Sequence, residues 1–560
     1  MATDSEAKLE LFLQWLKVNG AELRGCDIKY CDSSKGFGIF SSGDSPSGIL
    51  LTVPLNLAIT PMSVLQDPVI GPEFRSLLAK QEEDDRLLIM IFLTVERLRK
   101  NSTWRPYLDM LPTEFGNPLW FTDDELLELK GTTLHRATEL QKIKLKSLFD
   151  DKVKKVAEKL LSLDGNPECE VRFEDFLWAN SIFWTRALNI PFPQSYVFPS
   201  SQPEQDSTDI SLLDSSTHHI SAEKLVSNET GKSLEINDSA KQVSGVELTP
   251  QGEVIWVEGL VPGIDFCNHA WKAAATWEID ESGSITGIPY SMYLLSAGSI
   301  PSGEEISISY GDKGNEELLY LYGFVVKDNP DDYLMIHYPL EALSDMPFSE
   351  SKMQLLEVQK GELRCLLPRS LLKSGFFSES ALSEESATNK ETSHQMHNYS
   401  WSGCRKIPSY IDKLVFPEEH VTALRTISMK EDELYKVTSL LEELVGTGGE
   451  RQPSEAEVRA AVWEACGDSG ALQVLVDLLN LKLTELEEGS GTEESDAELL
   501  QNPHMELPGS EESNGMASPP HLMSRRKWAS ITYRQGQKEL TRRFLMEAEH
   551  ALQSALTEGN

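Results

Sequence analysis

Two stretches with too few apolar side chains to form a core divide this 560-residue chain into segments that can fold. Residues 199–245 are rich in Ser, Asp, Glu and Gln and contain no aromatic side chain. Residues 483–524 contain no Lys or Arg, and their acids alternate with Gly, Ser and Pro. Because such segments bury little apolar area to compensate for the entropy lost on ordering, we predict a disordered insertion at 199–245 and a solvated acidic loop at 483–524. A shorter stretch rich in Ser, Glu and Thr, residues 378–402, is expected to be disordered as well.

Between these stretches, the apolar pattern changes from strand-like to helical along the chain. Strand-like runs bounded by turn residues occupy 48–60, 253–266, 274–280 and 304–312. Helical spacing then places four apolar residues on one face, Leu434, Val437, Leu441 and Leu444. A Ser454/Glu457 capping box predicts the start of another helix. We therefore predict an α+β protein in which a β-rich part is followed by an all-α part.

The charge balance favours a protein partner over a nucleic acid. The chain has 51 Lys and Arg against 89 Asp and Glu, a formal net charge of −38. This field repels nucleic-acid phosphates and anionic membrane surfaces and attracts basic protein segments. The most apolar run, "LLIMIFLTV" at 87–95, has about half of the ~20 residues that a membrane span requires. We predict no nucleic-acid partner and no membrane insertion.

The cysteines and the N-terminal residues favour a reducing compartment. Seven cysteines are scattered without a Cys-x-x-Cys pair, so neither a zinc ribbon nor a disulfide framework is indicated. The start, "MATDSEAKLELFLQWL", carries acids where a targeting segment would carry Arg or Lys. We expect a cytoplasmic or nuclear protein rather than a plastid one.

Two glycine-containing runs imitate nucleotide-binding motifs without meeting their requirements. "TGKS" at 230–233 would need a glycine where Val226 stands, and it lies in the predicted disordered insertion. "KGFGIF" at 35–40 lacks the third glycine of a dinucleotide fingerprint and has no strand-helix-strand unit around it. A phosphate-binding loop and a Rossmann fold are both disfavoured.

The run "DFCNHA" at 265–270 concentrates groups that can carry chemistry. On a strand, Asp265, Cys267 and His269 would share one face, which a metal site would require, but no further ligands occur at suitable spacing. A nucleophilic Cys267 would need an activating base or helix terminus. A buried structural turn and a polar ligand pocket fit the same residues, so these four interpretations stay open at this point.

Two tyrosines further along the chain are expected to lie close together. In 303–324, Ile306, Ile308 and Tyr310 alternate on one strand face, so Tyr310 is predicted to point the way the apolar side chains point. A short helix with acids in its first turn follows, and it brings Tyr322 directly before Gly323. Half-buried packing tyrosines are the alternative.

Several motifs in order carry a family resemblance along nearly the whole chain. They are "KGFGIF", "STWRPYLDMLP", "PLWFTDDELLELKGTTL", "FLWANSIFWTRAL", "LVPGIDFCNHA", "ISYGDKGNEELLYLYGF" and "ITYRQGQKELTRRFL". The chain resembles the SET-domain methyltransferases of the Rubisco large-subunit methyltransferase type. The resemblance implies a β-rich SET catalytic domain at 1–325 with a helical insertion at about 75–190. It also implies an α-helical substrate-binding domain at 326–560.

The resemblance also implies roles for individual residues. Those implied to bind S-adenosylmethionine are Lys35, Gly36, Phe37, Gly38, Arg186, Asp265, Asn268, His269 and Tyr310. Arg186 matches the contact to the cofactor carboxylate, and Cys267 would be a structural neighbour. Tyr310 and Tyr322 match the active-site tyrosines beside the lysine channel. "DFCNHA" would then be a cofactor wall rather than a metal site, with a core role for His269 as the alternative.

The activity implied is S-adenosylmethionine-dependent methylation of a lysine ε-amine in a protein substrate, with no metal. Because the net charge is −38, we expect a basic substrate protein. We also expect a monomeric enzyme. Two rival functions remain: protein-histidine methylation, as in the actin-directed branch of the same family, and a catalytically inactive SET-fold scaffold.

Overall fold

The computed structural model describes most of the chain and divides it into two compact units. The described residues are 2–32, 35–43, 48–79, 84–197, 254–378, 405–445, 451–501 and 523–559. The first unit comprises 1–113 and 148–309, and the second comprises 114–147 and 310–560. The disorder predicted at 199–245 and at 379–402 lies outside the described residues, as does the 502–522 part of the predicted acidic loop.

The strands of the first unit form three sheets within the described ranges. In chain order they are β1 (Glu22–Leu23), β2 (Cys26–Asp32), β3 (Gly36–Ser41), β4 (Ile49–Pro54), β5 (Leu188–Pro193), β6 (Val254–Gly259), β7 (Asn268–His269), β8 (Ala275–Asp280), β9 (Ser291–Ser296) and β10 (Glu305–Ile308). One sheet has the order β1-β4-β9-β8, the second has β2-β3-β10-β7, and β5 pairs with β6. The β10–β7 pair is parallel and the other pairs are antiparallel. Strands occur within each of the four predicted strand-like runs.

The helices belong to both units. In chain order they are α1 (Ala2–Val18), α2 (Pro61–Gln66), α3 (Gly71–Ala79), α4 (Asp85–Leu98), α5 (Arg105–Leu108), α6 (Asp123–Leu127), α7 (Thr133–Leu148), α8 (Lys154–Leu163), α9 (Phe173–Arg186), α10 (Gln194–Val197), α11 (Asn315–Glu317), α12 (Ser349–Val358), α13 (Glu418–Ser428), α14 (Glu431–Val445), α15 (Glu455–Ala465), α16 (Ser469–Glu487), α17 (Glu493–Gln501) and α18 (Arg525–Glu558). The second unit also contains the antiparallel strands β11 (Tyr333–His337) and β12 (Arg364–Pro368). The predicted α+β class is confirmed.

Local sequence signals account for several helices. The apolar run at 87–95 lies in α4, whose residues from Leu88 to Glu96 are all buried. Asp84 caps this helix, since its side chain accepts a hydrogen bond from the Arg86 backbone N–H. The capping box predicted at Ser454 and Glu457 is present at the start of α15. Among the described helices, none combines the length and the apolar character that a membrane crossing requires.

The acidic loop predicted over 483–524 is wrong for most of 483–501, which is helical except at 488–492. This segment contains the end of α16 and all of α17. Asp496 of α17 is fully buried and forms ion pairs with Arg534 (2.7 Å) and Lys538 (2.6 Å) of α18. Acids of this segment pair with basic side chains of α18, so the segment can be ordered despite its acidic composition. The ion pairs offset part of the cost of burying these charges.

Candidate functional site

The "KGFGIF" motif forms the start of β3, and its two glycines serve different purposes. Gly36 has φ +72°, a left-handed conformation that favours glycine. Gly38 lies against other side chains: an added Cβ would come within 2.6 Å of Cys31 Sγ and 3.1 Å of Glu305 Oε1. Phe37 packs edge-on against Tyr30 of the neighbouring strand β2, with ring centroids 5.6 Å apart. This glycine-rich strand start therefore leaves room for a side-chain cluster beside it.

A carboxylate, Glu305, connects this strand start with the "DFCNHA" motif. Lys35 Nζ donates to Glu305 Oε2 at 2.6 Å, and Asn268 Nδ2 donates to Glu305 Oε1 at 2.7 Å. The hydrogen bond that Lys35 donates to Glu305 is the main cause that raises the pKa of Lys35, so Lys35 stays cationic. We call this arrangement the Glu305 bridge. It joins two of the residues that the resemblance implies for the cofactor.

A second buried carboxylate, Asp265, holds Arg186. Arg186 Nη1 donates to the Asp265 carbonyl at 2.9 Å and to its Oδ2 at 3.1 Å. Asp265 Oδ2 also accepts from the Tyr107 hydroxyl at 2.7 Å, and Oδ1 accepts from the Gly263 N–H at 3.0 Å. The Asp265 side chain is 0% exposed, while that of Arg186 keeps 12% exposure. Burial raises the pKa of Asp265, and Arg186 and Tyr107 act in the opposite direction.

The "DFCNHA" run is a turn followed by a short strand rather than one continuous strand. Gly263 at φ +102° leads into a 3₁₀ turn at Ile264–Phe266, and only Asn268–His269 form β7. The shared face on which a metal site would depend therefore does not form. Within the described residues, no three His, Cys, Asp or Glu side chains are placed to hold a metal ion.

Cys267 and His269 differ in the burial of their side chains. Cys267 is buried, and burial raises its pKa well above the ordinary value, so the thiol stays protonated. A nucleophilic Cys267 is therefore disfavoured. His269 is half-buried and lies opposite Ile308 of β10, and burial lowers its pKa, which favours the neutral imidazole.

The two tyrosines lie in the second unit and contact each other. The rings of Tyr310 and Tyr322 have centroids 4.8 Å apart at an interplanar angle of 34°, and Phe324 lies 6.2 Å from Tyr322. Burial, followed by the charge of Glu317, raises the pKa of Tyr322 to about 12. Tyr322 is therefore a protonated phenol at neutral pH. The predicted convergence of the two tyrosines is present, and both side chains are half-buried.

The segment that carries Tyr322 is fixed by distant parts of the second unit. Leu318–Tyr322 is a π-helical turn that ends at Gly323, where φ is +78°. A Cβ on Gly323 would lie 2.6 Å from the Gly116 carbonyl carbon. Glu316, just before the turn, accepts hydrogen bonds from the Tyr533 hydroxyl of α18 at 2.8 Å and from Thr133 Oγ1 at 2.5 Å. The position of Tyr322 therefore depends on residues 114–147 and on α18.

The structure thus gathers seven of the predicted residues into three groups. Lys35, Gly38 and Asn268 meet at Glu305, and Arg186 and Asp265 form a separate pair; both groups lie in the first unit. Tyr310 and Tyr322 form the third group in the second unit.

Comparison with characterised proteins identifies protein methyltransferases as relatives, although no family model matches. The ribosomal lysine N-methyltransferase set10 of Schizosaccharomyces pombe is 24% identical over 332 residues, 58% of this chain and 46% of that protein. The chloroplastic ribulose-1,5 bisphosphate carboxylase/oxygenase large subunit N-methyltransferase of Pisum sativum is 23% identical over 359 residues, 62% of this chain and 57% of that protein. The actin-histidine N-methyltransferase of Homo sapiens is 29% identical over 195 residues, 32% of this chain and 30% of that protein. The chain spans about half the length of the first two relatives.

Solved structures of one enzyme type match nearly the whole chain. The SET domain of LSMT bound to lysine and AdoHcy aligns with a TM-score of 0.58 at 17% identity, covering 98% of this chain and 92% of that one. The chain has the SET-domain fold. Rubisco LSMT bound to AdoMet aligns equally well, with a TM-score of 0.58 over 98% of this chain and 93% of that one. The SET core predicted from the motif order is therefore confirmed as a fold, and the relatives are the methyltransferases that the resemblance names.

Two residues of this SET-fold site were missed by the sequence analysis. The sequence predicts a strand at Glu305 and places Tyr107 within the motif "STWRPYLDMLP", but it predicts no site role for either residue. One feature of the sequence could have indicated a role for Glu305: it is a carboxylate at the start of a strand whose other face is apolar. Its partners could not be identified, because they depend on the pairing of β10 with β3 on one side and with β7 on the other.

Proposed function

We propose that this protein is an S-adenosylmethionine-dependent protein-lysine N-methyltransferase. The observation that carries the proposal is the contact between Tyr310 and Tyr322, at 4.8 Å between ring centroids, in a chain with the SET-domain fold. The lysine-directed relatives and the structures solved with AdoMet or AdoHcy support the same function. Residues 1–325 would form the catalytic domain, and 326–560 would dock the protein substrate.

The first unit provides side chains that fit the polar parts of S-adenosylmethionine. Asp265 engages only Nη1 of Arg186, so other N–H groups of this guanidinium can be directed to the cofactor carboxylate. Backbone groups around Gly36 can approach a ligand closely, because this position carries no side chain and an added Cβ would meet nothing within 4 Å. Gly38 would contribute backbone groups to the same site, while its missing side chain leaves room for Cys31, Asn268 and Glu305. Asn268, His269, Lys35 and Phe37 complete the proposed cofactor site. When bound, the cofactor supplies a methyl group on a positively charged sulfonium sulfur.

The tyrosine pair suits the second reactant, a lysine amine. Lysine must lose its proton before its nitrogen can attack, and its pKa in water is ~10.4. Removal from water disfavours the charged ammonium and so increases the fraction of neutral amine. With a pKa of about 12, Tyr322 keeps its proton and offers a hydroxyl that can orient the amine. Alignment of this kind supplies much of the rate enhancement in a displacement that needs no covalent intermediate.

The proposed substrate is a protein with an exposed lysine in a basic surrounding. The net charge of −38 favours such a partner through long-range attraction. We propose a monomeric enzyme of the cytoplasm or nucleus. The proposed compartment is supported by the seven scattered cysteines, which include no Cys-x-x-Cys pair.

The test is methylation of size-fractionated cell extract with tritiated S-adenosylmethionine, followed by mass spectrometry of each labelled protein. A Tyr310→Phe variant should label its substrate at least about tenfold more weakly. Tyr435→Phe is the matched control, because Tyr435 is 77% exposed on α14 and should not affect labelling. A labelled histidine instead of lysine would reassign the substrate class. No labelling and no cofactor binding by folded protein would favour the scaffold.

A further inference from the structure

A carboxylate that touches no predicted reacting atom connects two elements of the proposed cofactor site. Glu305 is the first residue of β10, the strand that lies between β3 and β7 in the second sheet. Its backbone pairs with Phe40 of β3, while Ser307 of the same strand pairs with Asn268 of β7. Its side chain is therefore placed where it can reach residues on both neighbouring elements.

Both carboxylate oxygens are engaged, each by a different element. Oε2 accepts from Lys35 Nζ at 2.6 Å, just before β3, and Oε1 accepts from Asn268 Nδ2 at 2.7 Å. The side chain of Glu305 keeps 23% exposure and that of Lys35 keeps 46%. An exposed ion pair of this kind contributes little to the free energy of unfolding, since the median for surface pairs is about 0–1 kcal/mol. Global stability is thus a poor explanation for the arrangement.

The packing around Glu305 indicates that its position is tightly constrained. A Cβ at Gly38 would approach Glu305 Oε1 to 3.1 Å and Asn268 Nδ2 to 3.0 Å, so the glycine leaves room for the bridge. Cys31 Sγ lies 3.7 Å from the same oxygen, close enough for a weak hydrogen bond. The amide of Asn268 is oriented by this contact, because its Nδ2 must face the carboxylate and its Oδ1 must then face the other way.

We infer that Glu305 is a positioning residue for the cofactor, which fixes Lys35 and the amide orientation of Asn268 before the cofactor binds. This inference rests on the proposed function. Loss of the carboxylate leaves both groups to adopt several conformations, and ordering them on binding then lowers the affinity. The substrate lysine contacts neither group in this proposal. The effect should therefore fall on cofactor binding and spare the affinity for the protein substrate.

The experiment compares wild type, Glu305→Ala and Glu305→Gln for S-adenosylmethionine binding by calorimetry and for steady-state kinetics. We expect Glu305→Ala to raise the Kd and the KM for S-adenosylmethionine about tenfold, with little change in the KM for the protein substrate. Glu305→Gln keeps an acceptor for Asn268 and loses the charge that pairs with Lys35, so it should show a smaller increase. Glu304→Gln is the matched control, because Glu304 is the adjacent exposed carboxylate.

The possible outcomes separate this inference from the proposed function. Failure of folded wild type to bind S-adenosylmethionine contradicts the proposed function itself. Binding by wild type together with an unchanged Kd in Glu305→Ala would overturn the positioning role alone. If Glu305→Ala unfolds, Glu305→Gln decides: an unchanged Kd in that variant, or equal increases in both KM values, would reduce Glu305 to a structural residue. A selective increase for the cofactor supports the inference.

Discussion

Asp265 in the first unit and Asp496 in the second are both buried carboxylates that hold basic side chains, yet only one pair remains accessible to a ligand. Asp265 is 0% exposed and its partner Arg186 keeps 12% exposure. Asp496 is also 0% exposed, but Arg534 keeps only 4% and Lys538 none. The chemistry of the two clusters is similar. What separates a candidate ligand site from a purely structural contact is the exposure that the cation retains.

The largest expected change in stability is at the cluster of Asp496, Arg534 and Lys538, which we call the structural cluster. Asp496→Ala leaves Lys538 buried without its ion-pair partner and Arg534 with Glu128 as its remaining carboxylate, so the free energy of unfolding should fall by about 3–5 kcal/mol. Urea unfolding of the second unit would measure the loss. Cofactor affinity of the folded fraction should be unchanged, and a large change in that affinity would erase the distinction between the two clusters.

A third buried carboxylate, Asp332, accepts hydrogen bonds from amide groups, with the charge of Arg369 nearby, and allows a comparison with the direct ion pairs of Asp265 and Asp496. Asn315 donates to it from its backbone N–H at 2.6 Å and from Nδ2 at 3.1 Å. Burial raises the pKa of Asp332 to about 6 from 3.8. Because the folded state holds the proton more tightly, this group's contribution to stability is present at low pH and is lost as pH rises through about 6. The loss is up to about 3 kcal/mol.

The measurement for Asp332 is the difference in unfolding free energy between wild type and Asp332→Asn at pH values from 4 to 8. The difference should shift in favour of the variant as pH rises, since the asparagine cannot ionise. A pH-independent difference would show that the carboxylate has an ordinary pKa in the folded protein.

Asp265→Asn tests the ion pair of Asp265 and Arg186, whose cation stays partly exposed. The variant keeps the size and the acceptor oxygen of the side chain and removes the charge that pairs with Arg186. We expect S-adenosylmethionine affinity to fall about tenfold, which corresponds to about 1.4 kcal/mol. Calorimetry with purified protein would measure it. Unchanged affinity would place Arg186 outside the cofactor site.

The smallest effect is expected at the exposed edge of the structural cluster. Glu494 contacts Arg542 at 2.9 Å, and its side chain is 72% exposed. Glu494→Gln should therefore leave the free energy of unfolding essentially unchanged. The same urea titration measures the free energy of unfolding of this variant. A decrease comparable to that of Asp496→Ala would show that burial does not determine the strength of these contacts.

Local patterns in the sequence predicted what depends on neighbouring residues. The apolar face of α14 and the capping box of α15 follow from spacings within one helix. Of the four residues predicted on that face, Leu434, Val437 and Leu441 pack into a core cluster, whereas Leu444 is exposed. The fold class and the convergence of Tyr310 and Tyr322 also followed, because both tyrosines lie within one continuous motif.

The errors and omissions concern contacts between distant segments. Composition identified 483–501 as a loop because the basic partners of its acids lie in α18. The partners of Glu305 depend on strand register, which one sequence does not reveal. The four interpretations of "DFCNHA" stay open in the sequence, because the turn after Gly263 depends on a glycine in a left-handed conformation. A single sequence determines these contacts, but local patterns within it do not identify which distant residues meet.

The dependence of the Tyr322 segment on α18 has a consequence for synthesis of the protein. Glu316 obtains a hydrogen bond from Tyr533, which leaves the ribosome after every residue that lines the proposed cofactor site. Domains generally fold in the order in which they are made. The first unit can therefore be complete while the turn that carries Tyr322 still lacks this contact. A chain that stops before its last helix would retain the whole cofactor-binding sequence without a fully supported tyrosine pair, so cofactor capture and methyl transfer would be acquired at different times during translation.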